Sequence, residues 1–165
     1  MVTLDQATKY WAVATLTAGG PSIRILADFF MLTLVYNDGG ALGTDLGSST
    51  YYLVITLLVL PGLLYYAYRH RGTPSLVLPL AFVISGAAGN LADRVRLGRV
   101  VDFLDVDFFD VLGITRWWTF NVADACLSVA ILYLLMRFLF FSRHEPIEGT
   151  TAASDHPKPA DSTGL

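Results

Sequence analysis

The sequence of 165 residues has little charge: Asp, Glu, Lys and Arg make up 15% of it, and the net charge is −3. An ordinary globular domain is about 25% charged. This scarcity excludes a disordered chain, a charged coiled coil and a nucleic-acid-binding protein that relies on a basic surface. The abundance of hydrophobic residues, 54%, and a mean hydropathy of +0.53 indicate a membrane protein.

Cysteine and histidine are also scarce. The single cysteine, Cys126, excludes an intrachain disulfide, and none of the three histidines lies near it in the sequence. We find no His/Cys cluster with the spacing of zinc ligands, and a serine or cysteine nucleophile would lack its usual histidine base. The sequence therefore argues against a metal site and against hydrolase chemistry of the Ser-His or Cys-His type.

Three apolar windows are long enough to cross a bilayer core of about 30 Å, which takes roughly 17 to 25 residues. They cover residues 51–68, 75–91 and 118–141. A fourth window, residues 1–18, has no basic start and no small-residue cleavage site, so we interpret it as a helix and not as a signal peptide.

These windows predict an all-α integral membrane protein with four transmembrane helices. The helices form one domain over residues 1–141, followed by a disordered polar tail over residues 142–165. The loop Arg69, His70, Arg71 is short and basic, and it lies on the same side as both ends of such a chain. The positive-inside rule then predicts cytoplasmic termini, although the connection between the third and fourth helices also carries four arginines.

Polar residues within the helices follow helical spacing, and ionisable groups in a membrane mark function by default. Antiparallel helices would bring two such stripes to one depth near the outer surface. On the first helix, Asp5 and Lys9 can pair at i, i+4, which is also how a purely structural ion pair would be placed. Only four residues precede Asp5, so we expect the cytoplasmic half of this span to be missing. The stripes on the third and fourth helices are Gly86, Gly89 or Asn90, and Asp93; and Asn121, Asp124 and Ser128.

Residues 23–36, between the first two helices, are rich in β-branched and aromatic side chains. They predict a small extracytoplasmic β element, for which residues 114–120 are a possible partner. The sequence from Asn37 to Gly40 is a turn signal that is also compatible with an ordinary hairpin. Trp117 and Trp118 are placed like an aromatic belt at the membrane surface.

Read together, five blocks resemble the signal peptidase II (lipoprotein signal peptidase) family, in order and with compatible spacing. The resemblance implies an aspartic endopeptidase of the bacterial cytoplasmic membrane that cuts prolipoproteins before a diacylglyceryl-modified cysteine. The sequence departs from the family pattern at Leu42, where Phe is usual, at Ser85, which replaces a glycine, and at its short N-terminal segment. The blocks are DQATK at 5–9, NDGGALG at 37–43, GAAGNLADR at 86–94, VVDF at 100–103 and FNVAD at 120–124.

The resemblance, and not the spacing, selects Asp102 over Asp93 as the partner of Asp124 in the catalytic pair. Two close carboxylates share one proton near neutral pH, and such a pair needs neither metal nor organic cofactor. The implied partners are the prolipoprotein and membrane lipid, with no nucleic acid, and we expect a monomer whose active site faces outward. The residues that match supporting or substrate-binding positions of the family are Asn37, Gly39, Asn90, Asp93, Arg94, Asn121, Asp5 and Lys9.

Two other classes fit the polar residues without the blocks. A small proton-coupled transporter or channel would also place Asp, Asn and Lys within its helices, and it predicts little effect of changing Asp102, which we expect in a loop. A non-catalytic membrane scaffold would use Gly86 and Gly89 for packing, but gives no reason for polar stripes that converge at one depth.

Overall fold

The computed structural model describes residues 1–39, 48–107 and 119–141. The predicted tail at 142–165, most of the suggested strand at 114–120, the Trp117–Trp118 belt and Leu42 lie outside these ranges. The elements are, in chain order, α1 (Val2–Thr15), β1 (Ile23–Leu26), β2 (Phe30–Asn37), α2 (Ser49–Arg69), α3 (Pro74–Leu97), β3 (Val100–Val106) and α4 (Val122–Phe141).

Three of the described helices, α2, α3 and α4, are long and apolar enough to cross a membrane. They match the three strong windows, except that α3 continues to Leu97 and α4 begins at Val122. Helix α1 has 14 residues, about 21 Å at 1.5 Å per residue, which is shorter than the bilayer core. The fourth membrane span therefore stays a prediction.

The three strands form one antiparallel sheet in the order β1-β2-β3. A β element between the first two helices was expected, but its third strand comes from the connection between α3 and α4. Of the residues suggested as a partner strand, Phe120 makes an isolated bridge to Leu104. The hairpin turn lies between β1 and β2, where Ala27 has a positive φ of 46°. Asn37 ends β2, and the rest of its turn signal from Gly40 onward lies outside the described residues.

The expectation that Asp102 lies in a loop is wrong, because it is the third residue of β3. Six of the seven residues of this strand are buried, so its sequence reads as a nearly continuous apolar run interrupted by acids. The polar and apolar alternation that marks a half-exposed strand is therefore missing.

The sheet packs against the C-terminal half of α1. Val101 and Phe103 of β3 and Leu34 of β2 form a buried cluster with Ala12 and Leu16. Gly98 caps the C-terminus of α3 in a left-handed conformation, with φ of 74°, and its N–H donates to the carbonyl of Arg94. The chain thus leaves α3 and enters β3 within three residues, which places Asp102 beside the end of α3.

Candidate active site

Two buried carboxyl groups come together from separate elements. Asp102 is supplied by β3 and Asp124 by the first turn of α4, and their exposed fractions are 1% and 5%. The helix start explains the second placement: the Asn121 side chain accepts the N–H of Asp124 at 3.0 Å, while the Asp124 carboxylate accepts the N–H of Asn121 at 3.3 Å. This reciprocal arrangement is a capping box.

Asparagine amides donate to both carboxyl groups. Asp102 accepts from Asn37 Nδ2 at 2.8 Å through Oδ2 and from Asn121 Nδ2 at 2.7 Å through Oδ1. Asp124 Oδ1 accepts from Asn90 Nδ2 at 2.8 Å. Each donor comes from a different element, since Asn37 ends β2, Asn90 belongs to α3 and Asn121 precedes α4. The carboxyl oxygens are thus held in place by uncharged donors.

The environment of Asp102 favours its protonated form. Burial raises the pKa of Asp102 to about 6, and the nearby charge of Asp124 acts in the same direction. Hydrogen bonds from Asn37 and Asn121 and the charge of Lys9 act against this rise. Since the two carboxyl groups influence each other, their titration belongs to the pair, and a shared proton is the expected state near the raised pKa.

A buried charged cluster lies next to the carboxyl pair. Lys9 Nζ lies 3.0 Å from Asp5 Oδ2 and 3.0 Å from Asp93 Oδ2, and all three side chains are almost fully buried. Asp5 also accepts the N–H of Ala123 at 2.9 Å, and Asp93 accepts the N–H of Val101 at 3.1 Å. The cluster therefore joins α1 and α3 to the backbone of both elements that carry the carboxyl pair.

The sequence of residues 1–140 matches the model of a family described as signal peptidase (SPase) II. The chain belongs to the signal peptidase II family. A protein named lipoprotein signal peptidase from Pelodictyon phaeoclathratiforme is 34% identical over 160 residues, which cover 94% of this chain and 93% of that protein. A protein of the same name from Syntrophus aciditrophicus is 36% identical over 139 residues, 81% of this chain and 83% of that protein.

Two solved structures have the same fold. A bacterial membrane enzyme determined by the in meso method at 2.3 Å resolution has a TM-score of 0.78 and 28% identity, covering 90% of this chain and 88% of its own. A second, determined by the same method at 1.9 Å, has a TM-score of 0.71 and 29% identity, covering 85% of this chain and 88% of its own. With its three apolar helices, this signal peptidase II homologue is a membrane protein and a protease.

Arg94 of this signal peptidase II chain contacts the segment that follows β2. Its Nη2 donates to the carbonyl of Gly39 at 2.8 Å, and its guanidinium lies 5.4 Å from the centre of the Tyr52 ring on α2. Gly39 N–H in turn donates to Asn37 Oδ1 at 2.8 Å. Arg94 thus fixes the segment that presents Asn37 to Asp102.

Sequence reasoning named most of these residues but missed two. Gln6 donates to Asp5 Oδ2 at 3.2 Å, to the Gly89 carbonyl at 3.1 Å and to Asp93 Oδ1 at 3.0 Å. Its position beside Asp5 was a usable signal, whereas Tyr52 stands among the aromatics of an apolar span and offered none. Ser128, placed in the polar stripe of the fourth helix, is exposed and lies apart from the cluster.

Within residues 1–39, 48–107 and 119–141, no group of three or more His, Cys, Asp or Glu side chains is arranged to hold a metal ion. The acids at this site instead have ammonium, amide or backbone N–H partners. What the arrangement offers chemically is a pair of buried carboxyl groups held by amide donors, with the pKa of Asp102 raised to about 6 by burial.

Proposed function

We propose that the chain removes signal peptides from bacterial prolipoproteins, with Asp102 and Asp124 as the catalytic residues of an aspartic endopeptidase. The observation that carries this proposal is the juxtaposition of two buried carboxyl groups from β3 and α4, both held by asparagine amides. Membership of the signal peptidase II family supplies the reaction class, and the two relatives above carry the name lipoprotein signal peptidase.

The chemistry follows from one proton on two carboxyl groups. The ionised member takes a proton from a water molecule, whose oxygen attacks the scissile carbonyl. The protonated member polarises that carbonyl and later protonates the leaving amine. The raised pKa of Asp102 supports this arrangement, because it brings the shared proton closer to working pH. No metal or organic cofactor takes part in this scheme.

The substrate in this proposal is a lipidated preprotein that is cut before its diacylglyceryl-modified cysteine. The acyl chains stay in the bilayer, while the peptide bond reaches the carboxyl pair beneath the sheet. Asn37, Gly39 and Arg94 form the edge of the site that meets the substrate, supported by their hydrogen bonds to each other and to Asp102. The remaining supporting residues are Asn90, Asn121, Asp5, Lys9 and Asp93, which hold the pair in place.

We also propose that α1 is a fourth transmembrane helix, that the active site faces away from the cytoplasm, and that both termini are cytoplasmic. Arg69 ends α2 and Arg71 follows it, at the end of the helix that is remote from Tyr52 and hence from the carboxyl pair, as the positive-inside rule requires. The functional unit is then a monomer in the bacterial cytoplasmic membrane, formed by residues 1–141, with residues 142–165 as an appended tail.

Cleavage of a purified diacylglyceryl-prolipoprotein in detergent tests the assignment. We expect the wild type to release the signal peptide and both Asp102→Asn and Asp124→Asn to lose activity by a factor of about 10³ or more, as for catalytic groups that act as a unit. Asp28→Asn is the matched control, because Asp28 is an exposed acid paired only at the surface with Arg24 at 3.1 Å.

A fully active Asp102→Asn or Asp124→Asn protein would refute the catalytic pair. A wild type that releases no signal peptide would instead return the transporter and scaffold hypotheses to consideration. Loss of activity in Asp28→Asn would indicate that the assay responds to general damage and not to the site.

A further inference from the structure

A continuous series of hydrogen bonds leads from Lys9 on α1 to Asp124 on α4. Lys9 Nζ donates to Asn90 Oδ1 at 2.8 Å, and Asn90 Nδ2 donates to Asp124 Oδ1 at 2.8 Å. The same Asn90 oxygen accepts Asn121 Nδ2 at 3.1 Å, and that amide also donates to Asp102 at 2.7 Å. Lys9 makes no hydrogen bond to either carboxyl group, but one residue, Asn90, connects it to Asp124, and two residues, Asn90 and Asn121, connect it to Asp102.

The direction of these hydrogen bonds depends on Lys9. An asparagine side chain has a donor end and an acceptor end that can exchange by a half-turn. A lysine ammonium has only donors, so the acceptor end of Asn90 must face it. The donor end must then face Asp124, and the free lone pair on Asn90 Oδ1 orients Asn121 toward Asp102.

We propose that Lys9 is a positioning residue, which fixes the amide of Asn90 so that it donates to Asp124. This inference rests on the proposed catalytic role of Asp124. Lys9 then has a second role besides its buried ion pair with Asp5. The ion pair alone does not require this role, because Lys9 could neutralise the cluster without contacting Asn90.

Lys9 also sets the charge around the pair. The charged groups that face it are Asp5 of α1 and Asp93 of α3, with Arg94 and Arg96 further along α3, Asp102 of β3 and Asp124 of α4. Its side chain is 1% exposed, so water screens its charge little. The positive charge lowers the pKa of Asp102. Removing that charge therefore raises this pKa further.

A double-mutant cycle on kcat separates positioning from simple packing. Lys9→Met keeps much of the volume without a donor, and Asn90→Leu removes the amide. We expect each single change to lower kcat by a factor on the order of 10 to 100, with a smaller effect on KM. If Lys9 acts through Asn90, the double variant is no slower than Asn90→Leu. Losses that multiply in the double variant would overturn the proposal.

Lys9→Met leaves Asp5 and Asp93 without their shared buried cation, so the cycle is repeated in a background that restores the charge balance. Lys9→Met/Asp93→Asn supplies one, because the asparagine oxygen can still accept the N–H of Val101. Compared with Asp93→Asn alone, the added Lys9→Met change should lower kcat 10- to 100-fold, and this added loss should vanish when Asn90 is already Leu. An added loss that persists there would again overturn the proposal.

The pH profile of kcat/KM distinguishes positioning from general destabilisation. The limb that reports Asp102 should move to higher pH in the Lys9 variants. Gln6→Leu is the matched control, since Gln6 bonds to Asp5, Gly89 and Asp93 but not to Asn90. It should lower the unfolding temperature and leave that limb in place. An equal movement in both variants would refute a specific action of Lys9.

The outcome for Lys9 is separable from that of the proposed function. If Asp124→Asn remains active, the catalytic pair and the positioning role both fail. If both Asp→Asn variants are inactive but the Lys9–Asn90 cycle is multiplicative, only the positioning role fails.

Discussion

The close approach of α3 and α4 can be tested by adding one methyl group. Gly86 of α3 faces the start of α4, and a Cβ at this position would lie 2.7 Å from the carbonyl oxygen of Ala123 and 3.4 Å from Leu127 Cβ. The oxygen belongs to the backbone, so no side-chain rotation relieves the contact. For an ordinary separation of 3.4 Å, α4 must recede by about 0.7 Å.

The energetic cost follows from two opposing effects of Gly86→Ala. Overpacking a tight contact costs about 1–3 kcal/mol, and the higher helix propensity of alanine offsets up to about 1 kcal/mol. We expect a net destabilisation of about 1–2 kcal/mol. Because Asp124 follows Ala123 directly, the same displacement moves a carboxyl group of the proposed catalytic pair, and a shift on the order of 1 Å can lower kcat by about 10²-fold.

Thermal unfolding in detergent and kcat on a lipidated preprotein measure the two effects together. Gly62→Ala is the matched control, because Gly62 lies within α2 and a Cβ there meets nothing within 4 Å. It should leave kcat unchanged and raise stability slightly. Wild-type kcat and stability in Gly86→Ala would refute the claim that the site requires this helix contact.

Three further predictions concern charge and hydrogen bonding. The protonated form of Asp102 contributes stability that is fully present below its unfolded pKa of about 3.8 and is lost as pH rises through about 6, by up to about 3 kcal/mol. Thermal unfolding should show this loss of stability in the wild type but not in Asp102→Asn. Equal pH dependence of the two proteins would contradict the prediction. Thr33→Val removes a hydroxyl that donates to buried Asp105 at 2.7 Å and should lower the free energy of unfolding by about 1.5–3 kcal/mol. Thr33→Ser keeps the hydroxyl and should not. Equal unfolding temperatures for these two variants would be inconsistent with that hydrogen bond. Arg94→Lys loses the fixed donor to the Gly39 carbonyl and should raise KM several-fold more than it lowers kcat, so an unchanged KM in steady-state kinetics would argue against its place at the substrate edge.

The sequence located the apolar helices because hydropathy over about 20 residues is a local property. Residues 51–68 and 75–91 both fall within helices of the structure, and only the ends differ. Strand β3 was not predicted, because burial of Val100, Val101, Asp102 and Phe103 removes the alternation that a strand with one exposed face displays.

Local sequence patterns could not distinguish Asp93 from Asp102 as the partner of Asp124. Both acids lie near the end of α3, and neither spacing nor hydropathy separates them. What separates them is a contact with Lys9, 84 residues before Asp93 in the chain, which lies 3.0 Å from the Asp93 carboxylate. Such pairings depend on how helices meet, and a family resemblance was needed to select Asp102.

The assembly of the site from distant segments has a consequence for biogenesis. Asn37, Asn90 and Asp102 all precede the last helix, but Asp124 and its capping partner Asn121 are supplied only with α4. A chain that has inserted α1 to α3 therefore holds one carboxyl group without its partner. Since the proposed reaction needs both, the growing polypeptide stays inert toward neighbouring membrane segments until its final helix has docked.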